Sequence, residues 1–258
     1  MAVDDGFEDR YGAVAASYAR HRPAYPRGLF DLVASAAPAR RRCWDAGTGS
    51  GQAAVVLASY FREIVATDAS QQQLDQAVAA PGVEYRCEPS ESTSIPDRSV
   101  DAITVASAIH WFERPAFFDE VRRVGAPGAL LAVWTYTTAL EVDPGVDRVV
   151  RHISAQLLGP MWTSHIRTLE GGLGRLALPF HDLPVPSFSI EQSWTLAELC
   201  GYIQTWSAAV SYERARGRPV TDEVHDALAT AWGDPDRRRV VRLPLQVRMG
   251  IVRPGDGS

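Results

Sequence analysis

The stretch WDAGTGSG, residues 44–51, begins with the last three residues of the apolar run RRCWDA. The helix-like run QAAVVLASY follows it directly. Glycines at positions 47, 49 and 51 permit backbone conformations that a side chain disfavours, so the chain can turn sharply out of a buried strand. The missing side chains also let a flat or charged ligand approach the backbone closely. This stretch therefore predicts a strand, a ligand-binding loop and a helix in direct succession.

Short apolar runs alternate with helix-like runs outward from this loop, from residue 40 to 136. The strand-like runs are RRCWDA, EIVATD, VEYRCE, SVDAITVASA and GALLAVWTY, and the helix-like runs among them are GQAAVVLASYF, SQQQLDQAVAA and PAFFDEVRRV. Strands joined by helices of about ten residues form βαβ units, which give a parallel sheet covered on both faces. The sequence therefore predicts an α/β fold.

The flanking segments are less regular. FEDRYGAVAASYARHRPAYP predicts a helix followed by an extended turn, and DRVVRHISAQLLG is amphipathic until GGLG interrupts it. LPFHDLPVPS predicts a proline-rich loop, SFSIEQSW a strand and TLAELCGYIQTWSAAV one helix. The closing run VVRLPLQVRMGIVR predicts a strand pair or one bent long strand.

The composition favours small-molecule chemistry in the cytoplasm. A net charge of -5 and a pI near 5.7 give no broad basic field for nucleic acid or an anionic membrane. The three cysteines form no CxxC pair and the start MAVDDGFEDRYG has no signal-peptide pattern, which favours free thiols. The apolar runs are too short for a transmembrane helix. The six histidines show no HExxH or HxxxH spacing, so we expect no metal site.

All 26 basic residues are arginines. A Walker loop needs a lysine on the phosphates, a pyridoxal-phosphate enzyme needs a Schiff-base lysine and a protein kinase needs a lysine on a strand. These three classes are therefore excluded.

An acid, Asp68, closes the second predicted strand. In open parallel sheets the carboxyl ends of the strands line the ligand crevice, and an acid there can accept hydrogen bonds from a ribose diol. The alternative role of Asp68 is a helix N-cap for SQQQLDQAV, although Ser70 can serve as that cap. The dinucleotide pattern GxGxxG would need a glycine where Gln52 stands, so the spacing D-x-G-x-G-x-G is a different loop.

Several motifs together resemble class I S-adenosylmethionine-dependent methyltransferases, and more narrowly the type 11 subgroup that includes trans-aconitate and cantharidin methyltransferases. The motifs are D-x-G-x-G-x-G, the acid Asp68, CEPSES before IPDRSVD, and SAIHWF followed by EVRRVGAPGALLAVW. The opening Y-x-x-x-R-P-x-Y-P of residues 18–26, together with TWSAAVSYE and LPLQVRMG, extends the resemblance over most of the chain. The turn APGA at 126–129 stands where many relatives have KPGG, and we expect no functional cost.

The resemblance implies a mostly parallel, Rossmann-like sheet with a final antiparallel strand and helices on both faces. It implies S-adenosylmethionine as cofactor, S-adenosylhomocysteine as product and a small-molecule acceptor. The expected domains are an N-terminal lid helix (1–38), a cofactor-binding core (39–138), an acceptor-binding cap (139–187) and a C-terminal completion of the sheet (188–258).

The resemblance also assigns residues to the cofactor. They are Tyr18, Arg22, Asp45, Gly47, Thr48, Gly49, Gly51, Asp68, Ala69, Ser90, Glu91 and Ser107. In this assignment Arg22 closes over the cofactor carboxylate, Ala69 flanks adenine and Ser107 lies under the sulfonium. The structural alternative for Arg22 is a solvated arginine at a helix end.

The acceptor site is predicted to use aromatic residues and histidines. The acceptor-binding candidates are Tyr25, His110, Trp111, Trp134, Tyr136 and Trp162, and the catalytic candidates are His110 and His165. The alternatives are that the aromatic residues pack the core or the cap, and that His110 only holds its loop.

The sequence thus predicts methyl transfer to a small molecule, at oxygen (hydroxyl or carboxylate) before nitrogen. A phenol or alcohol would need a base such as His110, whereas a carboxylate is already an anion. Two alternatives stay open, an NAD(P)-dependent Rossmann oxidoreductase and a protein that binds S-adenosylmethionine without catalysis. No motif identifies the acceptor or the oligomeric state.

Overall fold

Residues 24–163 and 172–253 are described by the computed structural model. They divide into two units, each discontinuous in sequence. Of the described residues, the sheet unit comprises 24–140, 172–191 and 242–253, and the helical unit comprises 141–163 and 192–241. The predicted N-terminal helix lies mainly in residues 1–23, outside the described residues.

The described strands form one mixed sheet. They are β1 (Arg42–Ala46), β2 (Glu63–Asp68), β3 (Val83–Cys87), β4 (Val100–Ala106), β5 (Gly125–Tyr136), β6 (His181–Leu183), β7 (Phe188–Trp194) and β8 (Arg239–Ile251). The order is β3-β2-β1-β4-β5-β8-β6, and β7 also pairs with β8. Strands β1 to β5 are parallel, whereas β8 is antiparallel to β5 and β6. The predicted mostly parallel sheet with a final antiparallel strand is confirmed.

Helices precede or follow most strands of the sheet unit and make up most of the helical unit. The first group is α1 (Arg27–Ala36), α2 (Gln52–Leu57), α3 (Gln71–Leu74) and α4 (Arg114–Val124). The second group is α5 (Pro144–His152), α6 (Leu196–Gln204), α7 (Ser207–Arg216), α8 (Val220–Glu223) and α9 (His225–Trp232). A 3₁₀ turn at Ile109–Trp111 follows β4, and it carries one of the candidate histidines.

Side chains of β5 point alternately to the two faces of the sheet, and a helix packs on each face. Leu131 and Val133 are buried in the cluster that contains Phe117 of α4. Trp134 points to the other face, because successive side chains of a strand alternate, and its ring lies 6.0 Å from that of Phe30 in α1. Both faces of the central strands β4 and β5 are therefore covered, which explains why their sequences are nearly continuous apolar runs. The edge strand β3 has no buried residue.

The strand order positions a crevice beside β1. From β1 the chain proceeds outward to β2 and β3, and then returns to place β4 on the other side of β1. Asp45 is consequently opposite Ala66 of β2 and opposite Thr104 of β4. Ligands of open α/β sheets bind at such a reversal of strand order, outside the carboxyl ends of the strands.

Three predicted elements differ from the structure. The helix expected over SQQQLDQAVAA is one turn, because none of its helical residues is buried and a short helix without packing is marginal. The helix expected over TLAELCGYIQTWSAAV is broken into α6 and α7 at Trp206, whose backbone is extended. The expected loop LPFHDLPVPS contains the short strand β6. The closing run is one long strand, which agrees with one of its two predicted forms.

Candidate functional site

The loop after β1 uses left-handed backbone at Gly47, Gly49 and Gly51, with φ of +66°, +57° and +81°. A Cβ on Gly47 would lie 2.6 Å from the Ala108 Cβ, and a Cβ on Gly51 would collide with the Tyr85 hydroxyl. Among the described residues, the nearest atom to a Cβ on Gly49 would be a side-chain oxygen at 3.7 Å. Within that part of the chain, the protein itself therefore fills the space at Gly47 and Gly51, whereas the backbone at Gly49 is open to a ligand.

Asp45 is a fully buried brace beneath this loop. Its two carboxylate oxygens accept hydrogen bonds from the hydroxyls of Thr48, at 2.6 Å, and of Thr104, at 2.7 Å. Burial raises the pKa of Asp45 to about 6, against the lowering effect of these hydrogen bonds. Asp45 therefore ties the loop to β4 and shapes it from below.

Asp68 stands at the end of β2 and joins two turns. One carboxylate oxygen accepts a hydrogen bond from the Gly49 N–H at 2.8 Å, and the other accepts from the Ser70 N–H at 2.9 Å. The Ser70 hydroxyl accepts from the Gln73 N–H and caps α3, so Ser70 rather than Asp68 provides the side-chain cap. Burial raises the pKa of Asp68, while both backbone hydrogen bonds lower it. Each carboxylate oxygen retains a lone pair for a hydroxyl of a ligand.

Three cofactor-binding candidates, Ala69, Ser90 and Glu91, occupy the loops after β2 and β3. Ala69 is exposed and its carbonyl oxygen accepts from the Cys87 thiol at 3.7 Å. Ser90 is buried, and the half-buried Glu91 accepts the Glu113 N–H at 2.8 Å. Glu91 thus stabilises the chain just before α4 as well as bordering the predicted site.

The turn after β4 begins at Ser107, a non-glycine residue with φ of +55°. Its N–H donates to the Trp134 carbonyl at 2.8 Å. His110 and Trp111 follow in the 3₁₀ turn, both half-buried, with ring centroids 5.2 Å apart. The structure therefore puts His110 at the carboxyl edge of β4, two strands from Asp68 in the sheet order.

Tyr25 lies over the ends of β4 and β5. Its ring is 5.7 Å from that of Trp134 and 6.2 Å from that of Tyr136. Its hydroxyl is 3.4 Å from the Ser107 Oγ. Trp134 is fully buried between Tyr25 and Phe30, and its indole nitrogen has no hydrogen-bond partner among the described residues.

The remaining predicted residues belong to the helical unit or lie outside the described residues. Trp162 belongs to the helical unit, where its indole donates to the Ser154 carbonyl at 2.9 Å and its ring lies 6.2 Å from that of Trp206. Tyr18, Arg22 and His165 lie outside the described residues. Their roles stay predictions.

Several residues of the site were missed by the sequence reasoning. They are Thr104, Tyr85, Ala108 and Thr135, which brace Asp45, crowd the glycines or contact Ser107. Thr104 gave a signal, since it is a polar residue in the otherwise apolar end of a buried strand. The others gave none, because their role depends on which strand ends are neighbours.

The arrangement fits a nucleoside-type ligand. The open left-handed Gly49 lets such a ligand approach the backbone, and Asp68 offers carboxylate lone pairs to a diol at the adjacent strand end. Among residues 24–163 and 172–253, no group of three or more His, Cys, Asp or Glu side chains could hold a metal ion. No helix within those ranges is long and apolar enough to cross a bilayer.

The chain is similar to known methyltransferases. The family defined by a methyltransferase domain matches residues 44–133. A solved structure from Anaeromyxobacter dehalogenans, described as a type II methyltransferase, aligns with a TM-score of 0.83 and 39% identity, covering 90% of this chain and 99% of that one. A Dictyostelium discoideum protein described as a methyltransferase is 29% identical over 233 residues, which is 89% of each chain. A Saccharomyces cerevisiae protein described as an S-adenosylmethionine-dependent methyltransferase is 29% identical over 145 residues, 50% of this chain and 47% of its own.

Proposed function

This chain belongs to the class I S-adenosylmethionine-dependent methyltransferases, and from that premise we propose that it methylates a small molecule, at oxygen first and at nitrogen next. Within the family we assign it to the type 11 subgroup that resembles trans-aconitate and cantharidin methyltransferases. The motif Y-x-x-x-R-P-x-Y-P and the segment SAIHWF support this narrower assignment.

The observation that carries the proposal is the pairing of Gly49 with Asp68. The open backbone of the loop and the carboxylate at the next strand end are joined by one hydrogen bond of 2.8 Å. A nucleoside bound there would have its ribose hydroxyls at a carboxylate and its remaining part along the glycine loop. Charge-assisted hydrogen bonds of this kind are stronger than neutral ones, so Asp68 would contribute much of the affinity.

Bound S-adenosylmethionine would supply an electrophilic methyl group on its sulfonium. The residues of the chain then have to align the acceptor in line with that methyl group and exclude water. Holding two reactants in attack geometry can lower the barrier by about 7 to 11 kcal/mol. His110 is the residue proposed to orient the acceptor, or to take its proton when the acceptor is a phenol or alcohol.

The side chains around the ends of β4 and β5 suit a small acceptor with an apolar part. Tyr25, Trp111 and Tyr136 are half-buried aromatic residues of the sheet unit. Fully buried Trp134 backs Tyr25 in this proposal. Trp162 and His165 remain further candidates for the acceptor.

Two alternatives are distinguished by ligand binding and by turnover. A calorimetric titration with S-adenosylhomocysteine and, separately, with NADH and NADPH decides the cofactor. An assay with methyl-labelled S-adenosylmethionine over carboxylate, phenol, alcohol and amine acceptors then decides catalysis. We expect S-adenosylhomocysteine to bind and an oxygen acceptor to be labelled.

Binding of nicotinamide cofactors alone would support the oxidoreductase. Binding of S-adenosylhomocysteine without labelling of any acceptor would support a non-catalytic binding protein. Labelling of amines only would move the acceptor atom from oxygen to nitrogen.

A further inference from the structure

Ser107 holds a backbone conformation that its residue type disfavours. Its φ of +55° is in the left-handed region, where a Cβ crowds the following carbonyl oxygen. A non-glycine residue stays there only when its surroundings determine the conformation, and such residues cluster at functional sites. Ser107 lies directly after β4 and three residues before His110.

Contacts from two other segments fix Ser107. Its N–H donates to the Trp134 carbonyl at 2.8 Å. Its Oγ lies 3.2 Å from the Thr135 Oγ1 and 3.4 Å from the Tyr25 hydroxyl. The Thr135 hydroxyl also lies 3.2 Å from the Tyr136 carbonyl oxygen. A chain of three hydroxyl groups therefore crosses the carboxyl ends of β4 and β5.

The turn that Ser107 starts contacts the glycine loop and carries the candidate histidine. Ala108 packs so closely on Gly47 that no Cβ fits between them. The 3₁₀ turn then begins at Ile109, so the path of the chain from Ser107 sets where His110 stands. A change in the conformation of Ser107 would therefore shift His110 relative to Gly47.

We infer that Thr135 and Tyr25 are positioning residues, which hold Ser107 in its left-handed conformation and thereby place His110 beside the glycine loop. The inference deepens the proposed function, because it rests on His110 facing the reaction. Neither Thr135 nor Tyr25 needs to touch the transferred methyl group in this role, since each contacts the hydroxyl of Ser107. For Tyr25 the role is additional to the acceptor contact proposed above.

The test compares Thr135→Val, which removes the hydroxyl and keeps the shape, with Thr135→Ser, which keeps the hydroxyl. The matched control is Ser99→Ala, which removes a hydroxyl bonded to the Pro96 carbonyl at the opposite, amino end of β4. Two readouts are used: kcat with cofactor affinity, and the NMR signal of the His110 imidazole, identified by its absence in His110→Asn. Circular dichroism and urea unfolding check that each variant folds.

We expect Thr135→Val to lower kcat by about twofold to tenfold, the loss typical of one hydrogen bond, with cofactor affinity unchanged. The His110 signal should shift while the signals of the other histidines stay. Thr135→Ser should restore both readouts, and Ser99→Ala should change neither. Ser107→Gly, which tolerates the same φ, should fold normally and shift the same signal.

An unchanged His110 signal in Thr135→Val would overturn the inference. Equal shifts of all histidine signals, or the same effect in Ser99→Ala, would also overturn it, because they mean general loosening. The NMR readout needs no acceptor. A failure to find methyl transfer would therefore contradict the proposed function while the positioning role is decided separately.

Discussion

Two turns at the same edge of the sheet both contain left-handed backbone, but they use different residue types there. The turn after β1 reaches the left-handed region three times and uses glycine each time. The turn after β4 reaches it once and uses Ser107, held by Tyr25, Trp134 and Thr135. The first turn owes its shape to its own residue types, whereas the second owes its shape to neighbours that are distant in sequence.

This difference in residue type indicates different roles for the two turns. In the part of the chain that the structure describes, the loop backbone can be approached at Gly49, whereas Ala108 and Tyr85 occupy the space beside Gly47 and Gly51. A serine keeps a side chain that other groups can hold. We therefore interpret the first turn as the binding surface for the cofactor and the second as the support for a side chain that acts.

The largest expected effect tests whether His110, in the second turn, takes part in the reaction. If His110 is a general base, His110→Ala should lower turnover by about a hundredfold to ten-thousandfold, while cofactor affinity by calorimetry barely changes. His110→Asn can orient an acceptor but cannot take a proton near neutral pH. Activity that is kept in His110→Asn and lost in His110→Ala would mean that His110 orients the acceptor. Loss of activity in both variants would mean that His110 is a base. Full activity in both variants would remove His110 from the mechanism.

The next prediction separates crowded from open glycines within the first turn. Gly47→Ala should lower the free energy of unfolding by about 2 to 5 kcal/mol, because strain of the left-handed Cβ adds to overpacking against Ala108. Gly49→Ala carries only the strain, about 1 to 2 kcal/mol, yet should weaken cofactor binding more than its stability loss explains. Urea unfolding and calorimetry on both variants measure this. Equal stability losses would contradict the distinction.

A pH prediction concerns the brace beneath the first turn. Burial raises the pKa of Asp45 from 3.8 to about 6, so the folded protein binds this proton more tightly than the unfolded chain. The stability that Asp45 contributes is therefore fully present below pH 4 and falls by about 3 kcal/mol as pH rises through 6. Urea unfolding of the wild type and of Asp45→Asn between pH 4 and 7 isolates this contribution. A difference between them that does not vary with pH would show that Asp45 titrates normally.

The smallest expected effect concerns Asp68, the carboxylate at the end of β2 that accepts a hydrogen bond from the first turn. Asp68→Ala should weaken cofactor binding by about tenfold to a hundredfold, since hydrogen bonds to a charged group contribute about 1.5 to 3 kcal/mol. Asp75→Ala is the matched control, because Asp75 is exposed and, among the described residues, its carboxylate accepts a hydrogen bond only from the Gln71 side chain. Unchanged affinity in Asp68→Ala, measured by calorimetry, would remove the ribose assignment.

Much of the sheet could be predicted because four of its five parallel strands, β1, β2, β4 and β5, are mostly buried and apolar. All five parallel strands are confirmed, including the edge strand β3, which has no buried residue. Helices α8 and α9 had no such signal. They are four and eight residues long, and few of their residues, such as Leu228 and Trp232, are buried. Elements of that length depend on packing partners that no local pattern shows.

The site was predictable where residue type alone restricts the backbone. Glycines and a strand-end acid indicated the loop and Asp68 without any knowledge of pairing. The partner of Asp45, by contrast, is Thr104, which lies 59 residues away and is found only when the register of β1 and β4 is known. The resemblance named Ser107, but its left-handed conformation could not be predicted, since a serine residue gives no signal of a positive φ.

The return of the chain from β3 to β4 also has a consequence for synthesis of the protein. Closing β1 onto β4 spans a long segment of chain, and such non-local parallel pairings form slowly. The glycine loop leaves the ribosome long before Thr104, Ala108 and Phe112, which brace it or pack on it. A nascent chain that stops at residue 98 carries the entire glycine motif without the support that shapes it. Competence to bind cofactor is therefore acquired late in translation, and stalled chains of increasing length should gain it only after residue 112.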